Sequence, residues 1–368
     1  MAKHPYQALP QFTRWSKSVA ALPYPEVDPV VSFPMQIGLS DRVATAGSCF
    51  AQHIARYLSQ SGFNYFVPEA AHELINAVPE MAKRYNYGTF SARYGNIYTS
   101  RQLVQLFKRA HGGFESVEDA WRNQDGAWVD PFRPAIQPSG FATLDELRAD
   151  RENHLAFVRQ MFAELDVFVF TLGLTELWYN KADGTALPVC PGVSGGEFDD
   201  SIYGFTNLTA NEVIADMTEF FELLKKVNSR AKVILTVSPV PLAATALNRH
   251  VLVSTTYSKS VLRVAAEHLC QDFDQVNYYP SYEIITGNFN RGRYYDETLR
   301  DVTEEGVSHV MRLFMRHVTG AELDAAPVVT QQQPSDFLAR MNDVVHVACE
   351  EALIEASLEE EESSSPSA

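Results

Sequence analysis

The sequence is poor in several features that would assign a function class directly. Its four cysteines, Cys49, Cys190, Cys270 and Cys349, lie far apart and include no CxxC pair. A disulfide framework or a cysteine-built zinc site is therefore not expected to organise the fold. No run of about 18 apolar residues is present, the length a spanning helix needs. The first 25 residues also lack the apolar stretch of a secretion signal. We expect a soluble, cytoplasmic chain without a membrane span. Cations are scarce as well: 30 Lys and Arg stand against 46 Asp and Glu, a formal net charge of −16. Nucleic-acid binding needs clustered cations to neutralise phosphates, so nucleic acid is not an expected partner. The glycines Gly192, Gly195 and Gly196 form a patch that is neither GxGxxG nor a Walker motif, and the patch precedes a predicted loop rather than a helix. No cofactor and no metal are implied. Oligomeric state is not readable from the chain.

What is present is the alternation of an α/β protein. Residues 1–40 are rich in proline and read as an extended arm that packs on the domain. DRVATAGSCF then reads as a short strand entering a Gly-Ser turn. AQHIARYLSQSGF follows with Ala51, Ile54, Ala55 and Leu58 at helical spacing and Gly62 at the C-cap. Strand, glycine turn and helix form the opening unit of a doubly wound domain. Residues of about 65–165 interrupt the alternation and read as an insertion covering one rim of the sheet. It contains a helix SRQLVQLFKRA capped by Ser100, a loop, and a long amphipathic helix ending in VRQMFAEL. Buried strands follow in DVFVFTLGL, AKVILTVSPVPL and VNYYPSYEII. They alternate with helices from Thr209, from Tyr257 and from Thr303, with Thr209 and Thr303 as N-caps. Residues 323–358 read as a linker and one helix. Residues 359–368, with Glu359 to Glu362, read as a disordered acidic tail.

The sharpest local feature is Gly47-Ser48-Cys49-Phe50-Ala51. Gly47 permits a tight turn. Ser48 stands at the carboxyl edge of the first strand and at a helix N-terminus, where its hydroxyl can act as a nucleophile with its own backbone N–H as an oxyanion donor. The plain alternative is that Ser48 caps the helix. The wider text resembles the GSCFA-domain family over roughly residues 25–320. The matching pieces are AGSCFAQHIARYL, YGNIYTSRQLVQL, FTLGLTELW, LTVSPVPL, YYPSYEII and RYYD. The resemblance implies a fold of the SGNH (GDSL-like) hydrolase class: a three-layer α/β/α architecture with a parallel sheet and a helical or loop insertion over residues 41–322. It also implies esterase or O-acyltransferase chemistry on carbohydrate or polysaccharide, with Ser48 as nucleophile.

In that superfamily a glycine and the Asn of a Gly-x-Asn-Asp block supply further oxyanion donors. Here the block is Gly173-Leu174-Thr175-Glu176, so Thr175 stands at the Asn position and Glu176 at the Asp position. Gly95-Asn96 offers another side-chain N–H. The usual closing Asp-x-x-His is replaced by Thr298-Leu299-Arg300-Asp301. A carboxylate with a pKa near 4 is a poor base for a serine hydroxyl unless burial raises it. Three imidazoles are candidate replacements. His250 lies beyond the SPVPL strand. His309 is eight residues past Asp301, about 12 Å along a helix, and so cannot occupy the missing position itself. His53 points along a different helix face from Ser48. Each can instead be a structural or surface histidine. Tyr257-Ser258-Lys259-Ser260 with Arg263 reads as a cationic helix start, open to an anionic group or simply solvated. Arg291, Arg293 and Arg300 cluster near Asp301, and Arg300 can bind an oxyanion bidentately or pair locally with Asp301. Cys49 defaults to buried packing.

Two readings stay open. In the first, Ser48 is acylated and Gly173, Thr175 or Asn96 line the oxyanion hole. In the second, the fold is kept without the triad, as a binding or accessory protein of polysaccharide assembly or a transferase using Asp301 and Glu176. An imidazole within hydrogen-bond reach of the Ser48 hydroxyl separates them.

Overall fold

Three nearly continuous apolar runs, VATAG, VFVFTL and KVILTV, form neighbouring parallel strands whose side chains are buried on both faces. That is how a sheet covered by helices on two sides reads in sequence. The computed structural model describes residues 4–321 and Ile354. Along the chain the first elements are α1 (Trp15–Ser18), β1 (Val43–Gly47), α2 (Ala51–Gln60), α3 (Glu73–Asn76), α4 (Pro79–Arg84) and α5 (Ser100–Ala110). After β2 (Trp121–Arg122) and β3 (Trp128–Val129) come α6 (Leu144–Glu164), β4 (Val167–Leu172), β5 (Glu176–Asn180), β6 (Ala186–Leu187) and β7 (Tyr203–Asn207). The remainder is α7 (Ala210–Val227), β8 (Lys232–Val237), α8 (Val251–Asp272), β9 (Val276–Tyr278), α9 (Ser281–Thr286) and α10 (Glu304–Phe314). The residues group into two compact units, Leu39–Tyr278 and the flanking pair of segments, those up to Gly38 with those from Tyr279 on.

The larger unit is α/β. Its main sheet has the order β1-β4-β8-β9, all parallel, with helices packed against it. A ring cluster ties α5, α6 and α7 to β4: Phe162 meets Phe168 at 5.5 Å, Phe220 at 5.6 Å and Phe107 at 5.1 Å. Such offset and edge contacts add to the burial of the rings themselves. A separate antiparallel sheet, β6-β5-β7, follows directly from the end of β4.

β1 is an edge strand of the main sheet, and its free edge is covered by chain from the 65–165 region. The Thr45 N–H donates to Ser91 Oγ at 3.0 Å, and the Ile97 N–H donates to the Gly47 carbonyl at 2.8 Å. The Tyr94 hydroxyl donates to the Thr45 carbonyl. Covering the edge satisfies backbone groups that would otherwise be orphaned. This region is part of the packed core: Val158, Met161 and Phe162 of α6 are fully buried.

Several expectations are corrected. The cap of α5 is Thr99, in a reciprocal box with Gln102, while the Ser100 hydroxyl donates to Asp216 at 2.9 Å. α8 begins at Val251, well before Tyr257, because the His250 ring caps it in place of a hydroxyl residue. The strand expected over VNYYPSYEII stops at Tyr278: Pro280 has no N–H for a ladder, and Ser281–Thr286 is helical. Thr209 and Thr303 cap α7 and α10 as expected.

In the smaller unit the N-terminal arm is pinned to the C-terminal segment. The Ile37 N–H donates to the Val318 carbonyl at 2.7 Å, His317 meets Asp28 at 2.7 Å, and the Tyr24 hydroxyl donates to Glu305 at 2.6 Å. Apart from Ile354, the linker, helix and acidic tail expected after residue 322 lie outside the described residues.

Gly47 has φ +137°, and a Cβ added there would sit 2.4 Å from the Thr171 carbonyl oxygen. At Gly62, φ is +77° but no atom lies within 4 Å of an added Cβ. Gly62→Ala is expected to cost about 1 kcal/mol from backbone strain alone. Gly47→Ala is expected to cost at least about 3 kcal/mol, because the overlap is with backbone that cannot yield. Urea unfolding of both variants beside the parent chain measures the difference.

Candidate active site

The site is built on the turn that follows β1. The Gly47 conformation drives the chain sharply out of the sheet, and Ser48 follows, 3% exposed. Its Oγ is buried and has no hydrogen-bond partner among the described residues. It does not cap α2: the N-cap residue there is Phe50, and no side chain caps that end. A buried hydroxyl left unpaired costs roughly 1–3 kcal/mol, so it calls for an explanation. The Oγ1 atoms of Thr171 and Thr236 are also buried and, among the described residues, unpartnered. Register aligns both threonines with Gly47, across β4 and β8.

Gly173 closes the other side of the turn. A Cβ there would lie 3.1 Å from the Ser48 Cβ and 3.0 Å from the Tyr98 carbonyl oxygen. The Gly173 carbonyl accepts from Lys259 Nζ at 2.7 Å. Lys259 is 1% exposed and lies on α8. The cation expected at a helix start, solvated or facing an anion, is thus a buried side chain whose Nζ is directed at the glycine that packs on Ser48. Nothing in the residue types around Lys259 predicted this. The early start of α8 is the signal that was missed, since it moves Lys259 from the first turn to the third.

The expected oxyanion donors are mostly committed elsewhere. The Ser48 N–H extends the sheet ladder by one residue, donating to the Thr171 carbonyl at 3.2 Å. The Gly173 N–H donates to the Tyr98 carbonyl at 3.0 Å. The Thr175 hydroxyl donates to Asn207 Oδ1 at 2.6 Å, and its N–H donates to Ser258 Oγ at 3.1 Å. Asn96 is 2% exposed, and its Oδ1 accepts from Gln52 of α2 at 3.4 Å. Glu176 is a loop tie, accepting from the Thr245 hydroxyl at 2.7 Å and the Ala246 N–H at 3.3 Å.

None of the candidate bases of this unit reaches Ser48. His250 is exposed and its Nδ1 accepts the Leu252 N–H at 3.1 Å, so it is a helix cap. His53 is buried on α2, its ring tilted against Phe50 at 5.5 Å, and touches Arg56. Burial, with Arg56 adding to it, holds its pKa down at about 3. In the smaller unit His309 is buried, its Nδ1 is 2.6 Å from the Tyr294 hydroxyl, and burial holds it down at about 4. Asp301 lies in an exposed turn beside Arg300, 3.9 Å away, which matches the local ion-pair reading of Arg300. Arg293 stacks over the Tyr24 ring at 5.5 Å. Cys49 is buried, as expected for packing. Among the described residues no group of three or more His, Cys, Asp or Glu is placed to hold a metal ion, and no helix is long and apolar enough to cross a membrane.

A family model described as the GSCFA family matches residues 42–314. That span takes in Ser48, Gly173, Lys259 and Asp301. None of the curated proteins matches the chain.

His53 supplies a pH test of the packing behind the serine turn. Its imidazole titrates near 6.5 when unfolded and at about 3 when folded. The folded state therefore holds it neutral and binds fewer protons. Its contribution is complete above pH 6.5 and is lost as pH falls from 6.5 toward 3, by roughly 1.4 kcal/mol per unit. His53→Gln, which keeps a neutral polar side chain, is expected to flatten the fall of Tm between pH 6.5 and 4. An unchanged pH profile would mean that His53 is solvated in the folded protein.

Proposed function

The chain belongs to the GSCFA family, and on that premise we propose that it is a serine acyltransfer enzyme, an esterase or O-acyltransferase of SGNH-like type acting on carbohydrate esters, with Ser48 as nucleophile. The observation that carries this reading is the buried, unpartnered Ser48 Oγ at the carboxyl end of the first parallel strand, where α/β folds place their chemistry. A hydroxyl held there with no structural partner is available for a substrate carbonyl.

The chemistry departs from a Ser-His-Asp triad, since no imidazole of Leu39–Tyr278 bonds to Ser48. Lys259 is the proton acceptor in this reading, through a bridging water, since its Nζ does not hydrogen-bond the Ser48 hydroxyl itself. Its Nζ reaches the carbonyl of Gly173, and Gly173 packs on Ser48. An amine in a low-dielectric site loses its proton more readily than in water, and serine–lysine pairs use it as the base. Ser48 Oγ attacks the ester carbonyl as its proton passes to the Lys259 amine. The tetrahedral oxyanion then collapses, its ester C–O bond breaks, and the departing alcohol takes the proton back from Lys259; water or an acceptor hydroxyl, deprotonated by the same amine, attacks the acyl-serine, and Ser48 leaves with that proton. The Ser48 and Gly173 N–H groups are committed to the Thr171 and Tyr98 carbonyls.

That same commitment favours a second reading: a binding or accessory protein in polysaccharide assembly that keeps the fold without acyl transfer. The carboxylate-driven variant has less support, since Glu176 is used as a loop tie.

Labelling with a serine-directed fluorophosphonate separates these readings. The parent chain is expected to label, Ser48→Ala to lose the label, and Lys259→Met to label at least about 100-fold more slowly, the scale of a lost general base. A folded parent chain that does not label overturns acyl transfer in favour of the binding reading. Normal labelling of Lys259→Met overturns the role of the lysine alone.

A further inference from the structure

A second group of buried polar side chains lies in the larger unit and takes no part in the chemistry proposed for Ser48. Four arginines, Arg93, Arg109, Arg133 and Arg151, come together from the 65–165 region. Three are tied to carboxylates: Arg93 to Asp150 at 3.1 Å, Arg133 to Asp130 and Asp150 at 2.8 Å each, and Arg151 to Asp130 at 3.0 Å. Arg109 is different. Among the described residues it has no carboxylate within 4 Å and no side-chain hydrogen bond, and its guanidinium lies 3.6 Å from the centre of the Phe132 ring. Burial, with Arg151 and Arg133 adding to it against the opposing pull of Asp130, brings its pKa down to about 9, so it remains a cation at neutral pH.

Arg109, Arg133 and His154 line one narrow cleft together with Asn96 and Phe132. Each of the three contributes a buried polar atom without a partner: Arg109 Nε, Arg133 Nη1 and His154 Nε2. The two arginine atoms can only donate. The histidine atom has the opposite role. His154 Nδ1 lies 2.7 Å from the Glu69 carboxylate, which also accepts the Arg93 N–H at 2.6 Å. Burial and the nearby Arg133 keep the imidazole neutral. Its one proton therefore sits on Nδ1, facing Glu69, and Nε2 presents a lone pair. The cleft is thus lined by two cationic side chains and one neutral imidazole, each with a buried polar atom left unpaired among the described residues.

From this complementarity we propose that the cleft binds a small oxyanion that carries a hydroxyl of its own, of the kind found in hydrogen phosphate or a 2-hydroxycarboxylate. The charged oxygens meet Arg109 and Arg133, and the hydroxyl donates to His154 Nε2. A fully deprotonated oxyanion would put a lone pair against the His154 lone pair and leave both unsatisfied. The site is independent of acyl transfer at Ser48.

The test is isothermal titration calorimetry of the full chain at pH 7.5 with four probes matched for ionic strength. Hydrogen phosphate and glycolate carry the hydroxyl, whereas sulfate and acetate do not. We expect hydrogen phosphate, glycolate or both to bind, and the corresponding probe without a hydroxyl to bind at least tenfold more weakly. Whichever of the first two binds more tightly identifies the ligand as phosphate-like or hydroxyacid-like. Arg109→Gln is expected to weaken binding at least tenfold. It loses the Phe132 ring contact but no ion pair, so its binding is measured well below the variant's own Tm, with unchanged circular dichroism as the check on folding. Ser48→Ala is expected to bind as the parent does. No heat from any probe would mean that the orphan atoms hold only water. Equal binding of sulfate and hydrogen phosphate, or binding unchanged in Arg109→Gln, would equally overturn the proposal.

Discussion

The close approach of β1 to β4 at Gly47 is the constraint on which the rest of the site depends. The register sets Gly47 against Thr171, and a side chain at position 47 has no room beside the Thr171 backbone. A residue with φ +137° then turns the chain so that the Ser48 N–H still reaches the Thr171 carbonyl while its hydroxyl is left unbonded. One backbone geometry thus has two consequences. It leaves a buried side-chain oxygen without a partner among the described residues, and it commits the backbone donor that would stabilise an oxyanion there. Gly173 repeats the pattern on the facing side: a small residue at a tight contact, its N–H spent on Tyr98 and its carbonyl turned to Lys259. The group directed at that side of the turn is therefore the buried Lys259 side-chain nitrogen rather than a pair of backbone amides.

The α/β fold was largely legible in the chain because buried parallel strands leave continuous apolar runs that few other structures produce. The parallel sheet, the helices on it and the caps at Thr209 and Thr303 all follow from that text. What was not legible lies where short-range pattern competes with tertiary context. His250 looks like a catalytic imidazole by position, yet it serves as a cap because its Nδ1 can accept a backbone N–H as a serine hydroxyl does. Lys259 reads as a solvated cation because its burial depends on where α8 starts. The edge-covering role of residues 91–97 has no periodic signature, since those backbone groups bond across to β1 rather than within an element.

The arginine cluster was invisible for a related reason. Arg93, Arg109, Arg133 and Arg151 are spread across the chain, and nothing in local composition distinguishes the three that neutralise Asp130 and Asp150 from the one that does not. Only the fold makes that distinction. It matters because a buried cation tied to carboxylates is structural, whereas an untied one beside unpaired polar atoms is poised for an external anion.

Within Leu39–Tyr278, most of the buried polar atoms left without partners fall into two places. One is the end of the main sheet, with Ser48, Thr171 and Thr236. The other is the arginine-rich group, with Arg109, Arg133, Arg151 and His154. The segment around Asn96 touches both, receiving Gln52 from the helix that follows Ser48 and lining the cleft of Arg109. Orphaned polar groups are costly wherever water is excluded, so chance would not favour gathering them in two patches. The economical explanation is that each patch has a partner from outside the chain. The hydroxyl patch is neutral and suits an ester or sugar hydroxyl. The arginine patch is cationic and suits an anion. A chain with a net charge of −16 repels anions at long range, so the second patch must work by close contact, with desolvated donors rather than the field of the whole protein.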